Sequence, residues 1–113
     1  MSRLADAARR FVAAYHAREA LVAEQAGWRC VIALHATDGH AVTVHVDGGR
    51  VTAVAQQAGP ADLVISADAA TLEDILELRR NPNEPYLFGE LTVRGPERDF
   101  LRLDYIATLL CPR

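Results

Sequence analysis

The segment from Ala61 to Gly95, ADLVISADAATLEDILELRRNPNEPYLFGELTVRG, constrains the fold more than any other part of the chain. Leu63, Val64 and Ile65 form a short, nearly continuous apolar run, which predicts a central strand covered on both sides. Thr71, with Asp74 three residues on, resembles a capping box whose usual Glu is shortened, and Asp68 is a second capping residue. The helix that follows takes its buried side from Leu72, Ile75, Leu76 and Leu78. Pro82 and Pro85 stop that helix and start a short turn that carries Tyr86, Leu87 and Phe88 into Gly89. Leu91 and Val93 then make a last strand, closed by Gly95.

Upstream, periodicity selects a three-stranded meander and its register. Ile32, Leu34 and Ala36 alternate in one strand, and Val42, Val44 and Val46 in the next; they share a face only if Ala36 pairs with His40. The loop Thr37-Asp38-Gly39 suits that pairing, with Gly39 supplying a positive φ. A Gly48-Gly49 turn pairs Asp47 with Arg50 and places Val51, Ala53 and Ala55 on the apolar face of Val46.

Helices are expected at both ends. Residues 3 to about 25 read as one amphipathic helix with Leu4, Ala8, Phe11, Val12, Tyr15 and Val22 on one stripe, capped by Ser2 and ended by Gly27. Gly95-Pro96 opens a terminal helix with Pro in its first turn and Glu97 and Asp99 placed to favour its dipole. That helix has two apolar faces: Phe100, Leu103, Ile106, Ala107 and Leu110 form the broad one, and Leu101, Tyr105 and Leu109 the second. The second face needs a cover, which could be the N-terminal helix, a bound apolar ligand or another subunit.

The order of these signals resembles the sterol carrier protein type-two family. The carriers of the resemblance are the "AD" before a strand, the "DL" of a capped helix, the "NP" turn, an aromatic residue before Gly89 and a short strand ending in Gly95; from Trp28 to about Leu110 the rest follows the family's sheet more weakly. Pro85-Tyr86 replaces the family's usual Ala-Phe, Glu90 stands where a basic residue often follows the glycine, and the eukaryotic peroxisomal ending is absent. The resemblance implies a single domain over residues 1–113, with an N-terminal helix at 1–26 and the family core at 28–110. It also implies an α+β fold: five strands in a mixed, largely antiparallel sheet, helices on one face, and an apolar tunnel between the sheet and the C-terminal helices for lipids or acyl chains. The ligand-binding residues expected there are Trp28, Tyr86, Leu87 and Phe88 from the core, with Phe100, Leu101, Leu103, Tyr105, Ile106 and Leu109 from the terminal helix.

Composition excludes several other functions. All twelve basic residues are Arg, so lysine Schiff-base chemistry is closed to the chain. A formal net charge of −3, without a basic stripe interleaved with aromatics, is not the footprint of a nucleic-acid binder. No apolar run approaches the roughly 20 residues that span a bilayer, and no signal-peptide pattern precedes the first helix, so a cytoplasmic, bacterial protein is expected. Cys30 and Cys111 fit neither a zinc spacing nor a redox pair and read as reduced thiols.

Catalytic and metal readings gain little support. His35 and His45 leave the sheet on the face opposite His40, so the three cannot converge on one ion, and no metal or other cofactor is expected. Neither Ser2 nor Ser66 sits in a nucleophile elbow. Asp62 reads as shaping a turn. Tyr86 and Tyr105 either pack in the core, the default for aromatics, or orient the polar end of a ligand. The expected function is non-catalytic binding of a lipid, acyl chain or polyketide-like intermediate. The alternatives are a structural or dimerisation module for a partner enzyme, and an accessory enzyme of secondary metabolism using Tyr86 or His40.

Overall fold

The computed structural model describes residues 3–111. Five strands form one sheet: β1 (Cys30–Ala36), β2 (Ala41–Asp47), β3 (Arg50–Ala55), β4 (Leu63–Ala67) and β5 (Thr92–Arg94), in the order β3-β2-β1-β4-β5. β1 pairs antiparallel with β2 and parallel with β4, while β2–β3 and β4–β5 are antiparallel. The helices are α1 (Arg3–His16), α2 (Glu19–Glu24), α3 (Ala69–Leu76), α4 (Asn83–Leu87) and α5 (Glu97–Leu110). Residues of α1, α3 and α5 share one buried cluster with Ile32, Leu34, Val44 and Ile65 of the sheet. The expected α+β architecture is therefore present.

Periodicity predicted the first hairpin correctly. The Ala36 N–H donates to the His40 carbonyl at 2.9 Å, and Gly39 has φ +97°. Asp47 pairs with Arg50 around Gly48-Gly49, also as expected. Beyond Val51 the expectation fails, because a β-bulge shifts the register between Val46 and His45. Val54, not Ala53, then lies opposite Val44 and packs on the core, and Ala53 is exposed opposite His45. The slip exchanges two alanines for a valine on the inner face, which buries more apolar area.

β4 is interior but not central, since β1 occupies the middle of the sheet. Its burial alternates, with Val64 and Ser66 half-buried, so one face is covered rather than two. The outer face is closed mainly at its centre, where Ala33 is buried and the buried Thr43 donates from its hydroxyl to Gln57 O at 2.7 Å in the β3–β4 connection. Asp62 shapes the entry to β4 as expected: its carboxylate accepts the Val31 N–H at 2.9 Å.

The N-terminal helix is not continuous. It breaks at Ala17-Arg18, where Arg18 has φ −100° and ψ 78°, and resumes as α2. A straight helix would carry Leu21 and Val22 away from the sheet; the break returns both to the core and lays the carbonyls of Val22 and Gln25 over Gly49. α2 ends at Glu24, with Gln25 rather than Gly27 closing it, and Ser2 lies outside the described residues. Asp68 caps α3 by accepting the Thr71 N–H at 2.7 Å, while Thr71 itself is buried one turn in. That helix stops at Leu76. Leu78 adopts φ +64° so that Arg79 N–H reaches Asp74 O at 2.8 Å, closing the end while Leu78 still packs on the core. The segment expected as a turn after Pro82 is the single-turn helix α4, and Pro96 is the residue before α5 rather than within its first turn.

His16 joins α1 to the bulged strand. Its Nε2 accepts the Val51 N–H at 3.1 Å, which only the neutral imidazole can do. Burial, and then the nearby Arg50, lower its pKa below the ordinary histidine value. The unfolded chain therefore binds the proton first, so stability is expected to fall as pH drops below about 6.5, down to the folded-state pKa. Urea unfolding of wild type and His16→Gln across that window measures the difference, because a glutamine oxygen accepts the same N–H without titrating. Equal slopes for the two proteins would remove the histidine from the account.

Candidate functional site

The space between helices and sheet is apolar and nearly filled. A void of about 50 Å³ lies among Phe11, Val12 and Tyr15 of α1, Trp28, Val44 of β2 and Ile106 of α5. A second, of about 30 Å³, lies among Leu72 and Ile75 of α3, Ile65, Pro82, Leu91 and Ala107. Phe11, Leu34, Leu76 and Leu103 line both, so these side chains form the partition between them. α1 supplies its apolar stripe, β1 and β2 their inner faces, and α5 the broader of its two faces.

Of the expected site residues, Trp28, Leu103 and Ile106 line the larger void, and Leu103 also lines the smaller. Phe100 is buried and packs its ring 5.0 Å from that of the exposed Tyr86. Leu87 and Phe88 are 70% and 74% exposed at the tip of α4, and Leu101, Tyr105 and Leu109 are exposed along the outer face of α5. Tyr105 donates to Glu24 Oε2 at 3.0 Å, which ties that face to α2. Trp28 Nε1 donates to Asp99 Oδ1 at 3.2 Å, and Arg102 lies 5.6 Å from the indole centroid. The residues of α1 that line the void were missed as site residues, although the 3.6-residue stripe containing Phe11, Val12 and Tyr15 had marked that face.

On the other side of α5 is an open groove of about 680 Å³. Asn81, Asn83 and Glu84 line one wall, Asp104 and Thr108 the other, and Leu87 and Phe88 complete it. Asn81 Nδ2 donates to Thr108 Oγ1 and so joins the walls. Asp104 Oδ1 is buried with no hydrogen-bond partner; burial raises the carboxyl pKa, partly offset by the Asn83 N–H. Nothing in the local sequence distinguished this aspartate from a solvated one.

Other reactive groups lie apart. The buried Cys30 thiol is pushed up to about 12 by burial, then by Asp99 and Asp62, and Cys30 and Cys111 are both free. His35 and His45 lie on the outer face of the sheet at opposite ends of the β1–β2 ladder. His40, expected toward the core side, is exposed beside Asp38, with Nδ1 and Oδ1 3.1 Å apart, because the loop carries it past the end of the sheet. Among the described residues no group of three or more His, Cys, Asp or Glu could hold a metal ion. None of their helices is long and apolar enough to cross a membrane.

A five-stranded sheet with α1, α3 and α5 packed on it across an apolar seam defines an α+β domain. Residues 11–104 match the model of the SCP-2 sterol transfer family, and the chain belongs to that family. Among solved structures, it is similar to a sterol carrier protein 2 crystal structure at 23% identity and TM-score 0.68, with 94% of this chain and 91% of that chain covered. A conserved hypothetical protein from Thermus thermophilus matches at 21% identity and TM-score 0.64, covering 96% of this chain and 88% of that one. A stereoselective inverting sec-alkylsulfatase from Pseudomonas sp. contains a similar fold at 14% identity and TM-score 0.60, over 75% of this chain but only 14% of the sulfatase. No curated protein matches the sequence.

Proposed function

We propose that this protein binds and carries a hydrophobic small molecule, a lipid, acyl chain or polyketide-like intermediate, without chemically altering it, and that it does so in the cytoplasm. The observation that carries the reading is the pair of wholly apolar voids divided by Phe11, Leu34, Leu76 and Leu103. Membership of a sterol transfer family supports it, as does the Cys30 thiol, which is too basic to serve as a nucleophile.

The voids of about 50 and 30 Å³ are smaller than the roughly 150 Å³ cavity that accepts benzene, so uptake requires the partition to move. Burying about a dozen methylenes at roughly 0.8 kcal/mol each exceeds the ~8 kcal/mol of micromolar affinity, which leaves a margin for that opening and for ordering the chain. Leu103 is the natural place to block it. Leu103→Trp is expected to abolish binding of a fluorescent acyl probe, with overpacking costing about 1–3 kcal/mol and the circular dichroism of the fold retained. Unchanged probe affinity in a folded Leu103→Trp protein would remove the tunnel from this seam.

The exposed face of Leu101, Tyr105 and Leu109 favours a second reading, an assembly module that dimerises or docks on a partner enzyme. The similar fold within a sulfatase supports it. If wild type binds no probe and carries no co-purifying lipid, while Leu109→Arg turns a dimer into a soluble monomer, the assembly module replaces the carrier.

A further inference from the structure

We propose that the groove between α4 and α5 holds the polar end of an amphiphilic ligand, and that Asp104 there selects a hydrogen-bond-donating head group, a hydroxyl or amine, over a carboxylate. The proposal deepens the carrier reading and rests on it.

The placement follows from how α5 divides two environments. Leu103 and Ala107 line the smaller apolar void, while Asp104 and Thr108, each the next residue along, line the groove. The α3–α4 connection alternates in the same way, with Pro82 at the void and Asn81 and Asn83 at the groove. The wall between them is thus the Asn81–Asn83 segment set against α5, held by the Asn81–Thr108 hydrogen bond. A ligand whose tail fills the void and whose head reaches the groove crosses that wall alone.

The chemistry of the head follows from what meets it. Asp104 Oδ1 is buried without a partner, a condition that costs a polar atom its full desolvation penalty. Asp104 lines the groove, so a head group that presses into the wall beside Asn81 and Thr108 reaches that oxygen. An incoming O–H or N–H then supplies the missing hydrogen bond. A carboxylate supplies no donor and meets Asp104 together with Glu84. No cationic side chain lines the groove among the described residues, and the nearby Arg80 is paired with Glu90 at 2.8 Å and Glu84 at 3.7 Å. Leu87 and Phe88 offer apolar contact to the first methylenes beyond the head.

Hexadecanol, hexadecylamine and hexadecanoate, each competing with a fluorescent acyl probe at about pH 8, where the free acid is ionised, test this with tail length fixed. Hexadecanol is expected to bind about tenfold tighter than hexadecanoate, the ratio for one added hydrogen bond to a charged acceptor. The amine arm separates the two donors: tighter binding than the alcohol assigns the site to a cation, and weaker binding to a neutral hydroxyl. In Asp104→Asn the amide accepts from an alcohol and donates to a carboxylate, so the alcohol-to-acid ratio should fall to about one. If that variant does not fold, wild-type NMR decides, with hexadecanol shifting the Asn83, Asp104 and Thr108 amides. Equal affinities for alcohol and acid in wild type, an unchanged ratio in folded Asp104→Asn, or no shift at those amides overturns the inference while leaving the carrier reading standing. Failure of all three amphiphiles to bind overturns both.

Discussion

Gly49→Ala is expected to destabilise the protein by about 3–5 kcal/mol, a large share of the roughly 5–15 kcal/mol typical of a domain. Gly49 has φ +80°, and a Cβ there would collide with Gln25 O and stand 2.6 Å from Gln25 C and 3.0 Å from Val22 O. All three are backbone atoms, so no side chain can swing aside. Gly49 also donates its N–H to Trp28 O at 3.0 Å and accepts the Tyr15 hydroxyl on its carbonyl, so displacing it disturbs the seats of α1 and α2 together. Gly48 provides the control, with φ +60° and its nearest contact, Ala26 O, at an ordinary 3.7 Å. Gly48→Ala should cost only the left-handed strain of about 1–2 kcal/mol. Denaturant midpoints that move equally for the two variants would show that the close approach of α2 to the hairpin is not what Gly49 provides.

Trp28→Ala should cost about 3–5 kcal/mol, the range for emptying a buried aromatic site. The indole is 5% exposed, lines the larger void, donates to Asp99 and lies under Arg102. Trp28→Phe keeps a ring and loses the donor and part of the area, so a cost of about 1–2 kcal/mol is expected. As the only tryptophan in the chain, Trp28 also makes intrinsic fluorescence report directly on filling of the void. A loss under about 1 kcal/mol for Trp28→Ala would place the indole outside the cooperative core.

Much of the fold was legible because local signals agreed with one another. The alternation of Ile32, Leu34 and Ala36 against Val42, Val44 and Val46, with Gly39 between, allowed one hairpin register, and that register is present. The two apolar faces of α5 were likewise readable from spacing: Phe100, Ile106 and Ala107 are buried, and Leu101, Tyr105 and Leu109 are exposed. The β3 bulge was not legible, since Thr52-Ala53-Val54-Ala55 carries no bulge glycine and the gain from turning Val54 inward exists only once α1 covers that edge. The break at Ala17-Arg18 left no mark either, for neither Gly nor Pro stands there and its cause is the hairpin beneath.

The candidate site divides along the same line. The apolar space between helices and sheet was an implication of the family resemblance, and of the ten residues named for it Trp28, Leu103 and Ile106 line the voids. The part played by Phe11 and Tyr15 depended on how α1 crosses the sheet. That Asp104 is buried with an unpaired oxygen beside Asn81 and Thr108 depended on where α4 comes to rest. Sequence by itself determined the periodic elements, the hairpin turns and the family order of the chain, because periodicity and turn chemistry act over a few residues. Tertiary structure alone decided the bulge, the helix break, the size of the voids and the groove. Each of these is set by contacts between segments distant in the chain, where close packing selects among local conformations of nearly equal energy.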